Sequence, residues 1–188
     1  MKHQKIKGSF FLTGNALRNP QFKPVIQQIL DDGHYLGGHS DGHLLYATWE
    51  DRSSLVSTDS LLIDLKRNQQ ALADWGVSKA QATYYLPPYE WYNDEQVKDI
   101  DLFGWKAINF TSGLRVAADY TTPNMKGYMS SQALLDHLHD YEQAHTLNGA
   151  IVLIHPGTVE ERTDKLYLRL DELIEGLRAK GYRFERLD

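Results

Sequence analysis

Short runs of apolar residues alternate along the chain with longer stretches in which apolar residues recur every three or four positions. The short runs are typical of buried strands, and the longer stretches are typical of amphipathic helices. Polar caps such as Ser130 and glycines such as Gly104 mark where helices begin and end. The predicted strands are residues 9–12, 34–38, 82–86, 106–110, 150–154 and 182–187, and the predicted helices are residues 20–30, 58–75, 93–103, 130–145 and 163–180.

This alternation predicts an α/β fold whose parallel strands are joined by helical crossovers. Because the 188 residues contain no repeat or linker, we expect a single domain over residues 1–188. Ligands of such folds bind beyond the carboxyl ends of the strands. Four residues at or just beyond the carboxyl ends of predicted strands are therefore expected at one mouth of the fold: His39, Tyr89, Asn109 and His155.

Composition narrows the function classes. A formal net charge of -5 and a pI near 5.9 argue against a general nucleic-acid-binding protein, which usually carries a basic face. The chain has no cysteine, which removes disulfides, thiolate catalysis and cysteine-bound zinc. No apolar run reaches the roughly 18–20 residues of a membrane span, and the apolar stretch near the start is too short for a signal-peptide core.

The pair His39 and His43 follows a predicted strand and is flanked by glycines. Two neutral imidazoles at this spacing bind zinc well, and a catalytic zinc needs one more protein ligand and a water. The pair differs from the H-E-x-x-H signature of zinc proteases, because no glutamate lies between the histidines. A divalent-metal site is one interpretation, and a glycine-rich turn with two surface histidines is the other.

Two further residues could carry proton chemistry. His155 follows the apolar run 150–154 and could act as a general acid, because its unperturbed pKa lies near the working pH. Asp119, in a long loop, could orient a histidine. The alternatives are a structural histidine and a solvated or turn-capping aspartate.

The segment 84–92 is rich in aromatic residues and is interrupted by a rigid Pro-Pro pair. Such a surface could stack against sugar rings, with Trp91 and Glu90 as substrate contacts and Asn109 beside them. The alternative is that the aromatic side chains pack onto the rim of the fold and that Glu90 is solvated.

The ordered set Ser9–Leu12 with Thr13-Gly14, then His39-Ser40-x-x-His43, then Leu86-Pro87-Pro88-Tyr89, then Leu153-Ile154-His155 resembles the NodB-like polysaccharide deacetylases, carbohydrate esterase family four. The resemblance implies a distorted (β/α) barrel of about seven parallel strands. It implies a divalent metal, with zinc expected, and hydrolysis of N- or O-linked acetyl groups on a carbohydrate polymer.

The resemblance also implies roles for individual residues. His39 and His43 bind the metal, and Ser40 holds their loop in shape. His155 protonates the leaving group, and the backbone N–H of Tyr89 helps to stabilise the oxyanion.

Two features depart from the family pattern. The family's opening strand carries a general-base aspartate and a metal-binding aspartate, whereas only seven residues precede Gly8 and none is acidic. Leu86 stands where the family usually has an arginine. We therefore expect the domain to be N-terminally incomplete and to lack its first strand, with Asp41 as a poor substitute ligand.

These departures leave alternatives open. The chain is a metal-dependent carbohydrate deacetylase or esterase, a non-catalytic or weakly active carbohydrate-binding relative, or a metal hydrolase acting on a non-sugar amide. A missing strand would expose a sheet edge, which we expect to be covered, for example by a homo-oligomer. If the N-terminus is truncated, an extracytoplasmic location is favoured.

Overall fold

The computed structural model describes residues 3–188. These residues fall into two compact units. The first unit comprises residues 4–109 and 184–188, and the second comprises His3 and residues 110–183. Each unit has its own helices and buried residues, and each is described separately.

The first unit is built on a parallel sheet in the order β1-β2-β3-β4. Leu12 pairs with Gly38, Gly38 with Tyr85, and Tyr85 with Ala107, so the carboxyl ends of the four strands lie level. The predicted parallel α/β arrangement is confirmed. The strands are β1 (Ser9–Leu12), β2 (Tyr35–Gly38), β3 (Tyr84–Tyr85) and β4 (Lys106–Ala107).

The helices of the first unit begin and end at local signals. In α4, Asn93 and Gln96 form a reciprocal capping box, and Gly104 ends the helix in the left-handed region. The predicted helix over residues 20–30 is divided into a 3₁₀ turn, Pro20–Phe22, and α2, because Pro24 is tolerated only in a first turn. The helices are α1 (Gly14–Arg18), α2 (Lys23–Asp31), α3 (Thr58–Asp74) and α4 (Asp94–Phe103).

The core of this unit lies between the sheet and α3. Tyr85 and Trp105 are fully buried and stack with ring centroids 5.1 Å apart and planes 12° apart. Leu61, Leu65 and Leu72 cover the core from one face of α3.

The second unit contains α5 (Ser131–His145), α6 (Leu170–Ala179) and the 3₁₀ helices Arg115–Tyr120 and Leu166–Arg169. Ser130 caps α5 as predicted. The last α-helix begins later than predicted, since Leu166–Arg169 forms a 3₁₀ turn before it. Asp164 instead accepts a hydrogen bond from the backbone N–H of Ser131 at 2.5 Å.

Of the six predicted strands, four form in the part of the chain described, and residues 150–154 and 182–187 do not. Residues 150–154 are apolar but only half-buried. The Ile151 carbonyl accepts the Thr111 N–H at 3.0 Å, but the Ile151 N–H donates to the Thr111 hydroxyl instead of a backbone carbonyl, so no ladder continues. Residues 182–187 also form no ladder, although the Leu187 N–H donates to the Ser9 hydroxyl at 2.8 Å. Apolar runs extend as strands only where a neighbour supplies backbone partners.

The C-terminal segment 184–188 therefore contacts β1, the edge strand of the sheet. Coverage of this edge by a second copy of the chain stays a prediction. Within residues 3–188, no helix combines the length and the apolar character that crossing a membrane requires.

Gly38 tests the packing at the end of β2. A Cβ there would lie 2.5 Å from the Asn68 side-chain oxygen and 3.1 Å from Trp105, so Gly38→Ala should lower the free energy of unfolding by about 1–3 kcal/mol. At Gly42 a Cβ would meet only ordinary contacts, the nearest at 3.7 Å, so Gly42→Ala is the matched control. Urea denaturation measures both, and equal stability of the two variants would contradict this packing.

Candidate metal and carbohydrate site

His39 is the first residue after β2 and is held by the neighbouring strand end. Its Nδ1 lies 2.7 Å from the carbonyl oxygen of Leu86, the residue after β3. Since a carbonyl only accepts, Nδ1 carries the proton, and the lone pair of the neutral ring is at Nε2. A carbonyl that orients an imidazole in this way is the usual arrangement behind a metal-binding histidine.

The spacing of the two histidines fits a shared metal ion. Two imidazoles on one tetrahedral zinc, at Zn–N distances of about 2.0–2.1 Å, place their ring centres roughly 5 Å apart. The ring centroids of His39 and His43 are 4.9 Å apart, with planes at 65°. The pair therefore fits as two ligands of such a site.

The described residues place no third metal ligand beside His39 and His43. Across residues 3–188, no three histidine, aspartate or glutamate side chains gather closely enough to hold a metal. Asp41, between the two histidines, forms an ion pair with Arg18 at 2.7 Å. The expectation that Asp41 is a poor substitute agrees with this pairing.

Ser40 lies fully buried within the same loop, in the left-handed region with φ 67°. Its hydroxyl accepts the Leu44 N–H at 3.3 Å, and its carbonyl accepts the Gly14 N–H at 3.0 Å. These bonds join the loop to itself and to the start of α1. They are consistent with the predicted loop-holding role, which stays a prediction.

Sequence reasoning missed two buried polar residues of α3, Asp64 and Asn68, which contact the backbone of residues 39–43, the histidine loop. A signal was present in the sequence. The two residues lie four positions apart on the same helix face as Leu61, Leu65 and Leu72, where polar side chains need a buried partner.

Two buried tyrosines adjoin Asp64. The hydroxyls of Tyr46 and Tyr85 are 2.5 Å apart, and the Tyr46 hydroxyl donates to Asp64 at 3.4 Å. Burial raises the pKa of both phenols well above their ordinary value. Both tyrosines therefore stay neutral and serve as hydrogen-bonding groups.

A row of aromatic rings runs from the histidine pair towards solvent. The His43 ring lies 4.5 Å from Tyr89, Tyr89 lies 5.8 Å from Trp49, and Trp49 lies 5.4 Å from Trp91. The guanidinium of Arg52 covers Trp91 at 3.8 Å. Trp49 and Tyr89 remain 53% and 46% exposed, so this aromatic row offers ring surface beside His43.

Trp49 was missed because it precedes the aromatic segment by some forty positions and lies in an irregular loop. Trp91, by contrast, already makes contacts within the fold. One side of its ring faces Arg52, and its indole N–H donates to the Thr48 carbonyl at 2.9 Å.

Glu90 and Asn109 contact each other rather than standing apart. The Asn109 amide donates to the Glu90 carbonyl at 2.9 Å and to the Tyr92 hydroxyl at 3.3 Å. Tyr89 and Glu90 both have positive φ, at 59° and 52°. Asn109 thus supports a strained turn, and its predicted substrate contact and that of Glu90 stay predictions, as does the oxyanion role of the Tyr89 N–H.

In the second unit, Asp119 and His155 form a close pair. Asp119 is 1% exposed, and its carboxylate lies 2.7 Å from the His155 Nδ1 and accepts the His155 backbone N–H at 2.8 Å. Tyr120 packs edge-on against the same ring at 5.4 Å. The geometry holds the His155 proton on Nδ1, as expected of a carboxylate that orients a histidine.

The polysaccharide deacetylase family model matches residues 1–108, which is more than half of the chain. The chain therefore belongs to the polysaccharide deacetylase family, and the resemblance inferred from the ordered motifs is confirmed.

One similar protein is the peptidoglycan-N-acetylmuramic acid deacetylase of Bacillus subtilis, which is 27% identical over 189 residues. The alignment covers 100% of this chain but 62% of that protein, so the chain spans less than two thirds of the relative's length.

Solved structures show the same fold. A Streptococcus mutans esterase of carbohydrate esterase family four has a TM-score of 0.70 at 21% identity, covering 100% of this chain and 76% of the other. A pseudoenzyme of that family from Bacillus anthracis has a TM-score of 0.68 at 21% identity, covering 99% and 56%. The predicted fold class, a distorted (β/α) barrel, is confirmed.

The Asp119–His155 pair makes a spectroscopic prediction. In Asp119→Asn the side chain can present an amide N–H to His155, so the neutral ring should move its proton from Nδ1 to Nε2. Long-range ¹H–¹⁵N correlation spectra report the tautomer directly. His137, which contacts the Gly113 carbonyl through Nε2, should keep its spectrum, and an unchanged His155 tautomer in the variant would contradict the assigned contact.

Proposed function

We propose that this chain carries a metal-dependent hydrolase site that removes N- or O-linked acetyl groups from a carbohydrate polymer. The observation that carries the proposal is the His39–His43 pair, with ring centres 4.9 Å apart and the His39 tautomer set by the Leu86 carbonyl. Family membership supports it, because deacetylases of this family are generally metal-dependent.

His39 and His43 would hold the divalent metal, with zinc as the expected ion, and the metal would supply Lewis-acid polarisation of the acetyl carbonyl and an activated water. Ser40 keeps the loop of the two histidines in its turned conformation. The backbone N–H of Tyr89 donates to the developing oxyanion. His155, oriented through Nδ1 by Asp119, is the proposed general acid: in its doubly protonated form it would give the Nε2 proton to the leaving amine or alcohol.

The aromatic row supplies a surface for the saccharide. Sugar rings present apolar C–H faces that pack against exposed aromatic rings, and Trp49 and Tyr89 expose such rings beside His43. The relative from Bacillus subtilis is named for N-acetylmuramic acid in peptidoglycan, so peptidoglycan fragments belong among the test substrates with chitin oligomers and acetylated xylan.

A second candidate function is saccharide binding without catalysis. One observation favours it: within residues 3–188 no third acidic or histidine ligand joins His39 and His43. For the chain to act as a deacetylase or esterase, a carboxylate other than those of the described residues, a water or a solute anion would have to complete the metal site.

Acetate release tests the first function. Wild-type chain with added Zn²⁺ or Co²⁺ should release acetate from at least one of the three substrates, and His39→Ala should abolish both metal binding and release, because one of two imidazole ligands is lost. His139→Ala removes a histidine from the exposed part of α5 and should behave as wild type.

The result also separates the candidates. Acetate release that persists in His39→Ala, or metal content unchanged by that substitution, would refute the assigned site. Saccharide binding by wild type without acetate release at saturating metal would establish the second function instead.

Trp49 tests the aromatic row. Trp49→Ala should weaken saccharide affinity roughly 2- to 10-fold, because stacking surface beside Tyr89 is lost. Calorimetric titration with chitin or peptidoglycan oligomers measures this. Phe22→Ala removes another exposed aromatic ring of the same unit, 46% exposed, and should leave affinity unchanged. Equal affinities for both variants would remove Trp49 from the substrate surface.

A further inference from the structure

We infer that Asp64 and Asn68, one turn apart on α3, are positioning residues that set the spacing of the His39 and His43 rings. The inference rests on the proposed function, since it concerns how that metal site is shaped. It starts from the backbone of the loop: the N–H groups of residues 39, 41 and 42 all donate to these two side chains.

Asn68 holds the point where β2 ends. Its side-chain oxygen accepts the His39 N–H at 3.0 Å, and its side-chain nitrogen donates to the Leu12 carbonyl at 3.2 Å. The side chain is fully buried, and the missing Cβ of Gly38 leaves the space that it fills. Asn68 therefore fixes the first histidine relative to the ends of β1 and β2.

Asp64 holds the peptides between the two histidines. Both carboxylate oxygens lie 3.1 Å from the Asp41 N–H, and one accepts the Gly42 N–H at 3.0 Å. The residue is 5% exposed, so these donors and the Tyr46 hydroxyl replace the water that its carboxylate oxygens lose on burial. A carboxylate accepts hydrogen bonds at both oxygens, whereas an amide side chain has one acceptor oxygen. Asp64→Asn therefore loses the acceptor that the second oxygen offers to the Asp41 N–H and the Tyr46 hydroxyl.

The loop needs such support because its backbone is locally unfavourable. Ser40 and His43 both lie in the left-handed region, with φ of 67° and 57°, which residues other than glycine rarely adopt. Backbone in this region persists when surrounding contacts over-determine it. The contacts of Asp64 and Asn68 fall at residues 39, 41 and 42, between and beside the two strained positions.

Asp64 is also linked to the sheet, through the hydroxyl groups of two buried tyrosines. The Tyr46 hydroxyl donates to it, and the Tyr85 hydroxyl, from β3, lies 2.5 Å from that of Tyr46. The histidine loop, α3 and β3 are thus joined through one carboxylate. Its removal should loosen the loop more than it loosens α3, which keeps its leucine contacts with the core.

The test compares Asp64→Asn with two controls on the same helix, using the full chain. Leu72→Ala removes a buried core side chain that makes no hydrogen bond to the loop. This variant lowers the free energy of unfolding and so controls for a general loss of stability. Asp74→Asn changes an exposed carboxylate that accepts a hydrogen bond from Gln70, one turn earlier on the same helix. Two readouts are taken well below every melting temperature: Co²⁺ affinity from its visible absorption, and amide hydrogen exchange at residues 41 and 42.

Asp64→Asn should weaken Co²⁺ binding at least about tenfold and speed exchange at residues 41 and 42, while both controls leave these values near wild type. The inference is overturned if Asp64→Asn binds Co²⁺ as wild type does, or if Leu72→Ala at equal loss of stability weakens binding as much. If wild type binds no Co²⁺, the proposed metal function fails, and the exchange rates alone decide whether Asp64 positions the loop.

Discussion

The geometry of the candidate metal site depends on the buried carboxylate of Asp64 and its hydrogen bonds to the histidine loop. A five-residue turn cannot hold two imidazoles at a defined spacing while two of its residues have unfavourable positive φ. The helix α3 supplies the contacts that hold this turn in its unfavourable conformation. Its leucines bury it against the sheet, and the same face carries the two polar side chains that take the loop's N–H groups.

Beyond that loop, several groups with plausible chemical roles also perform structural ones. Asn109 supports the turn at Tyr89 and Glu90, Trp91 is sandwiched against Arg52, and Asp41 pairs with Arg18. The Leu86 carbonyl, a backbone group, sets the tautomer of His39. Any chemical role of these residues must be compatible with the hydrogen bonds and ring contacts that already engage them.

Membership of the polysaccharide deacetylase family defines the fold of the chain. Whether such a fold catalyses a reaction depends on the residues that hold the metal. Structures of the same fold include both an esterase and a pseudoenzyme, at nearly equal TM-scores of 0.70 and 0.68. The scaffold therefore does not by itself distinguish catalysis from binding. For this chain the distinction depends on which further ligand completes the proposed metal site of His39 and His43, and on the proposed role of His155 as proton donor.

Caps, periodicity and ordered motifs are local, so the sequence predicts the alternation of strands and helices, the bounds of α4 and α5, and the candidate histidines. Three features could not be predicted in this way: residues 150–154 form no strand ladder, Trp49 contacts Tyr89, and Asp64 and Asn68 hold the histidine loop. Each of these depends on a partner distant in the chain. A strand needs a neighbour's backbone groups, and a buried polar side chain needs donors or acceptors that only folding brings within reach.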